Sequence, residues 1–103
     1  MSGSNGGSGF VLSPKAQTDL NQIWDYTMQK WGAGQAQTYI GIIRDAVHGL
    51  AAGTKPSQPI DDIRPGYRKT PAGSHILFFK IEDTGTINIV RILHSRMDTE
   101  QHL

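Results

Sequence analysis

Arg68, Lys69, Arg91, His94 and Arg96 are the side chains of this sequence best suited to work on a phosphate. Cleaving RNA through its own 2′-hydroxyl needs a base for the hydroxyl proton, cations for the charge that builds on phosphorus, and an acid for the leaving oxygen. His94 can serve as acid or base near neutral pH, and the guanidinium and ammonium groups can clamp the phosphate. Each residue also has a plainer explanation. His94 closes an apolar run and can simply hydrogen-bond a neighbouring loop. Arg91 sits inside Ile-Val-Arg-Ile-Leu, where a buried cation needs an acceptor. It either faces a polar groove or pairs with an acid such as Asp98. The four histidines, His48, His75, His94 and His102, have no metal-ligand spacing, so no metal is expected; nor is any cofactor. His75 opens a strand and reads as structural.

The elements that must position these groups follow from periodicity. Phe10-Val11-Leu12 is a short strand. Ser13 is a good N-cap and Pro14 suits the first helical position. Leu20, Ile23, Trp24, Thr27, Met28 and Trp31 then recur at helical spacing, and Gly32 ends the helix. Trp24 and Trp31 are expected in the core. A second helix is predicted from about 34 to 52, with Ala36, Tyr39, Ile40, Ile43, Ala46, Val47 and Leu50 as its apolar stripe. Gly53 closes it, and Pro56 and Pro59 prevent its resumption. The short connection makes the two helices an antiparallel hairpin. Residues 54–65 are turn-rich. Residues 66–70, 74–82 and 86–94 read as strands, the last two joined by Asp83-Thr84-Gly85. The order β-α-α-β-β-β predicts an α+β fold, a helical hairpin packed on one face of a small, mostly antiparallel sheet.

Composition sets the outer limits. Residues 1–9, rich in Gly and Ser, read as a flexible linker or cloning remnant, leaving a single domain over 10–103. Ten Lys/Arg against nine Asp/Glu give a net charge of +1, so no bulk field draws the chain to nucleic acid or membrane. The balance is uneven, however: residues up to Asp62 sum to −1 and those from Ile63 onward to +2. There is no cysteine, which excludes disulfide frameworks, thiolate metal sites and cysteine nucleophiles. No apolar run approaches the ~20 residues of a membrane helix, and no secretory signal is visible. A small cytosolic protein is expected.

The element order, together with LSPKAQTDL, WGAGQAQTY, IRPGYRK, AGSHILFFK and IVRILHSRMD, resembles the ParE toxins of the RelE/ParE superfamily, in bacterial type II toxin–antitoxin systems. The resemblance covers about Phe10 to Asp98. It implies a RelE/ParE-like fold and a cytoplasmic toxin that causes growth arrest. It also implies a hetero-oligomer with a neutralising ParD-like antitoxin. For ParE toxins the implied target is DNA gyrase; for RelE-type relatives it is mRNA on the ribosome, cut by the toxin. RelE-type enzymes tend to carry a lysine-rich second helix and a catalytic Tyr or His near the C-terminus. Here the second helix offers only Arg44, and residues 97–103 contain no Tyr, although His102 lies there. Gyrase inhibition without catalysis is therefore the leading expectation. A ribosome-dependent endoribonuclease using His94 and Arg96 is the alternative. The matching motifs nominate Arg64, Tyr67, Arg68, Lys69, Arg91, His94, Arg96 and Met97 as the target-binding neighbourhood.

Two structural questions stay open at this level. Ile42 lies beside the stripe of the second helix, and Tyr39, Ile43 and Ala46 broaden it. The four form either an antitoxin-binding face or part of the protein's own core. The hairpin loop decides the second question: two residues would bring His94 to the face of His75, whereas three would place it with Lys80 and Asn88.

Overall fold

The computed structural model describes residues 9–97 and 103. Most of the glycine-rich start, together with Asp98 and His102, lies outside the described residues. The chain runs β1 (Phe10–Leu12), α1 (Pro14–Trp31), α2 (Ala33–Ala52), β2 (Gln58–Pro59), β3 (Arg68–Ala72), β4 (His75–Ile81) and β5 (Ile87–His94). The five strands form one sheet in the order β1-β5-β4-β3-β2. β1 runs parallel to β5 and the other pairs are antiparallel. The α+β expectation holds, with one added strand. Among the described residues no helix is long and apolar enough to cross a membrane.

Local chemistry explains the element ends. Ser13 caps α1 by accepting the Ala16 N–H at 3.0 Å, and its own hydroxyl donates to the Val90 carbonyl at 2.8 Å, tying the cap to β5. Gly32 alone separates the helices. Its φ of +89°, accessible to glycine at little cost, lets it end α1 and start α2. The third strand begins at Arg68, two residues later than the sequence suggests. Gly66, at φ +82°, and the Tyr67 N–H bonded to the Arg64 carbonyl keep the chain turning until then. β2 is only two residues long and contains a proline, so propensity gives no sign of it.

The sheet is covered on both faces. The helices bury Leu77, Phe79, Ile87, Ile89 and Ile92 against Ala16, Ile23, Ile43, Ala46, Val47 and Leu50. On the opposite face Ile60, Phe78 and Leu93 are buried, flanked by Ile63, Tyr67, Ile76, Val90 and Leu103. The turn-rich segment after α2 thus acts as the second cover, which is why Phe78 and Phe79 are both buried although they are adjacent in a strand.

Candidate functional site

The β4–β5 hairpin sets the site. Ile81 pairs with Ile87, Lys80 with Asn88 and Phe79 with Ile89; then the register shifts, and Phe78 pairs with Arg91. Val90 is the extra residue of a β-bulge. The loop is the three-residue kind, yet the bulge restores the other register beyond it. His94 therefore pairs directly with His75, their ring centroids 5.3 Å apart and nearly perpendicular. Neither loop length alone predicts this outcome.

The bulge also turns Arg91 toward α1. Its Nε and Nη2 donate to the two carboxylate oxygens of Asp19 at 2.8 and 2.9 Å. Asp19 Oδ2 also accepts the Ile92 backbone N–H at 2.9 Å. Among the described residues the acid found for Arg91 is Asp19, 72 positions away in sequence; Asp98, the acid named from the sequence, lies outside the described residues. Hydrogen bonding to Asp19 raises the Arg91 pKa above its ordinary value, against the opposing effect of burial.

Tyr39 of α2 reaches the turn between β3 and β4. Its hydroxyl accepts the Ser74 N–H at 2.9 Å and lies 2.6 Å from His75 Nδ1. The approach is close: a Cβ on Gly73, which has φ +61°, would fall 2.8 Å from the Tyr39 ring and hydroxyl. The Tyr39 hydroxyl thus bridges the Ser74 N–H and the His75 imidazole, and the direction of its bond to Nδ1 follows the imidazole tautomer. Burial lowers the His75 pKa, His94 lowers it further, and Asp19 partly offsets both. His94 Nδ1 accepts the Arg96 N–H at 3.2 Å, which assigns its proton to Nε2.

These groups line a groove of about 790 Å³ between the C-terminal half of α1, the start of α2 and the end of β5. Its other walls include Gln22, Tyr26, Thr27, Trp31, Gln35 and Met97. Trp31 is 69% exposed, Tyr26 61% and Met97 44%. The core expectation for Trp31 is therefore wrong. The inward stripe of α1 is Ala16, Asp19, Ile23 and Thr27, and at the last turn the groove lies where a core would continue. Trp24 is half-buried, and Met28, also assigned to the stripe, is exposed.

The nominated target-binding residues do not converge. Only Arg91, His94 and Met97 line the groove. Arg96 is exposed in the turn after β5. Arg68 braces the chain before β2, donating from Nε to Ser57 Oγ at 2.8 Å and from Nη2 to the Ser57 carbonyl at 3.0 Å. Lys69 lines a second cavity of about 380 Å³ with Gln58 and Pro71. Tyr67 packs on the opposite face of the sheet, with the Arg64 guanidinium 5.6 Å from its ring. Arg64 Nη2 also donates to the Leu103 carbonyl. The nominated antitoxin face divides as well. Ile43 and Ala46 are 2% and 6% exposed and belong to the core under the helices, so they offer nothing to a partner in this conformation. Ile42 is 43% exposed, and Tyr39 faces the groove.

Reading the sequence did not single out Tyr26, Gln22 or Asp19. A usable signal existed, because Asp19, Gln22, Ile23, Tyr26 and Thr27 form one helical stripe. That stripe mixes polar and aromatic residues more than a purely core-facing one does.

Comparison with known proteins adds to this geometry. The model of the family described as ParE toxin of type II toxin–antitoxin system, parDE, matches residues 10–99. The chain is 46% identical over 96 residues to Toxin ParE1 of Mycobacterium tuberculosis, covering 93% of this chain and 98% of that protein. It is 35% identical over 94 residues to Toxin ParE1 of Caulobacter vibrioides, covering 91% and 96% respectively. A solved structure described as a chromosomal ParDE TA system from P. aeruginosa superposes with a TM-score of 0.71 at 23% identity. It covers 84% of this chain and 94% of that one, and it supports the fold.

Proposed function

The chain belongs to the ParE toxin family of type II toxin–antitoxin systems, and from that premise we propose that it acts in the cytoplasm by binding DNA gyrase and blocking replication, with a ParD-like antitoxin neutralising it. An antitoxin partner follows from membership of a toxin–antitoxin family. Gyrase as the target rests on family likeness and on one structural observation: the cations and His94 are not assembled for phosphodiester cleavage.

Such cleavage needs base, acid and phosphate clamp within hydrogen-bond reach of one substrate. In this fold Arg91 is forked onto Asp19. Arg68 is committed to Ser57, and Arg64 and Tyr67 sit together on the far face of the sheet. Side chains spread over two faces suit a protein that grips a larger partner, where exposed Arg and Tyr are common anchors. In this reading Arg64, Tyr67, Lys69, Arg96 and Met97 contact the target, and Arg68 braces the chain beside them through Ser57. Arg91 and His94 shape the surface from which Arg96 and Met97 project.

The purified toxin, added in stoichiometric excess, is expected to stop supercoiling of relaxed plasmid by gyrase and to leave ribosome-bound mRNA intact. Undiminished supercoiling at large excess would sink the proposal. Cleavage of A-site mRNA that disappears in His94→Ala and Arg96→Ala would replace it with the endonuclease alternative.

A further inference from the structure

The second cavity, of about 380 Å³, opens at the β2–β3 edge of the sheet and shares no lining residue with the groove beside α1. Pro71 and Ile76, paired across β3 and β4, line it together with Lys69, and Pro56, Ser57 and Gln58 close it from the chain after α2. Its wall is held in place. The Thr70 hydroxyl donates to the Pro56 carbonyl at 2.9 Å, and Arg68 donates to both the hydroxyl and the carbonyl of Ser57. Side chains alternate along a strand, so Arg68 and Thr70 grip the wall while Lys69 and Pro71 line the cavity. Two of the six lining residues are proline, whose fixed φ removes freedom that binding would otherwise have to take away.

The chemistry of the lining is one-sided. Lys69 is its only charged member, and no carboxylate lines the cavity. Among the described residues Lys69 forms no ion pair. The strand edge also limits how a partner can enter. β2 covers only Arg68 and Lys69 of β3. Further along that edge Pro71 has no N–H, so an incoming strand could not continue the ladder. A partner must enter by its side chains.

We propose that this cavity is the anchor point for gyrase, and that it takes a carboxylate side chain with an apolar neighbour from an acidic loop of that enzyme. The carboxylate meets the Lys69 ammonium, and the apolar group packs on Ile76, Pro56 and Pro71. Charge complementarity selects the occupant: an ammonium with no acid of its own, beside an apolar and pre-shaped hollow, favours an anionic group carried next to an apolar one. The inference rests on the gyrase reading and adds the place and chemistry of the contact.

The test is inhibition of gyrase supercoiling by the full-length toxin, comparing the concentration for half-inhibition across variants whose fold is checked by circular dichroism. Lys69→Glu reverses the cation and is expected to raise that concentration about tenfold or more, whereas Lys69→Arg should stay close to wild type. Gln58→Trp, at an exposed wall position, fills the cavity without touching the charge and should weaken inhibition as strongly. Lys15→Glu, the same charge change on α1, should inhibit like wild type and so exclude a bulk-charge effect. If wild type stops supercoiling and Lys69→Glu and Gln58→Trp stop it equally well, the cavity is not the anchor, while the gyrase reading stands. If wild type leaves supercoiling untouched, that reading fails and takes the cavity proposal with it. Loss of antitoxin binding in both variants, with the fold intact, would assign the cavity to the antitoxin instead. Retardation of plasmid by the toxin alone, lost in Lys69→Glu, would assign Lys69 to DNA and overturn the proposal.

Discussion

Removing the Asp19 carboxylate should loosen the joint between α1 and β5 more than any other single polar change in the described residues. Asp19 is buried and takes three hydrogen bonds, two from Arg91 and one from the Ile92 N–H. Asp19→Ala strands a guanidinium and a backbone donor at once. Breaking a buried ion pair from one side costs about 3–5 kcal/mol. Arg91 keeps some solvent contact and a further interaction, so the low end applies, about 3 kcal/mol. In a domain of this size each kcal/mol moves Tm by about 4–8 °C, so the loss should be about 12 °C or more. Asp19→Asn, which keeps an acceptor for Ile92, should lose about half as much. Arg91→Met should rescue part of the Asp19→Ala defect, because it removes the stranded cation. Thermal unfolding followed by circular dichroism, run as a double-mutant cycle, reads all of these. A loss below about 1 kcal/mol for Asp19→Ala, or strict additivity of the two changes, would refute the view that this pair fastens the helix to the bulged strand.

Two further outcomes follow from the turn at Gly73 and its neighbours. Gly73→Ala meets both a positive φ and the Tyr39 ring at 2.8 Å, so it should lower stability by about 1–2 kcal/mol from the backbone alone, measured by urea denaturation; unchanged stability would contradict both the left-handed turn and the close Tyr39 contact. His75 has a lowered folded-state pKa, so the unfolded chain takes up this proton more readily. Its contribution should therefore make the protein less stable as pH falls below about 6.5, levelling off once pH has passed the folded value. Comparing urea midpoints at pH 7.5, 6.5 and 5.5, His75→Gln should show a shallower fall than wild type; parallel curves would contradict the assignment.

Much of the fold was legible because its punctuation is local. Ser13-Pro14, Gly32 and Gly53 mark helix ends through backbone chemistry that needs no tertiary partner. The β-branched runs after residue 74 mark strands, with ends within one residue of those observed. What the sequence hid was long-range. The extra residue at Val90 depends on how β5 meets β4 and α1, so alternation along the strand could not place His94 opposite His75. Among the described residues an acid forked by Arg91 lies in the first helix, 72 positions away, a pairing that no local pattern announces. Trp31 continues a correct helical period to a place where no layer remains to bury it. The candidate site was half legible. Motif likeness nominated its basic residues, whereas their division between two faces of the sheet, and the groove that gathers His75, Tyr39 and Trp31, emerge only from packing.

The toxin is expected to stop growth by binding gyrase rather than by cutting RNA. Induction in growing cells, with labelled thymidine and labelled methionine incorporation followed side by side, tests it most directly. DNA synthesis should stop first, with translation continuing on intact transcripts. Translation that stops first, with mRNA cut at codon positions, would contradict the claim.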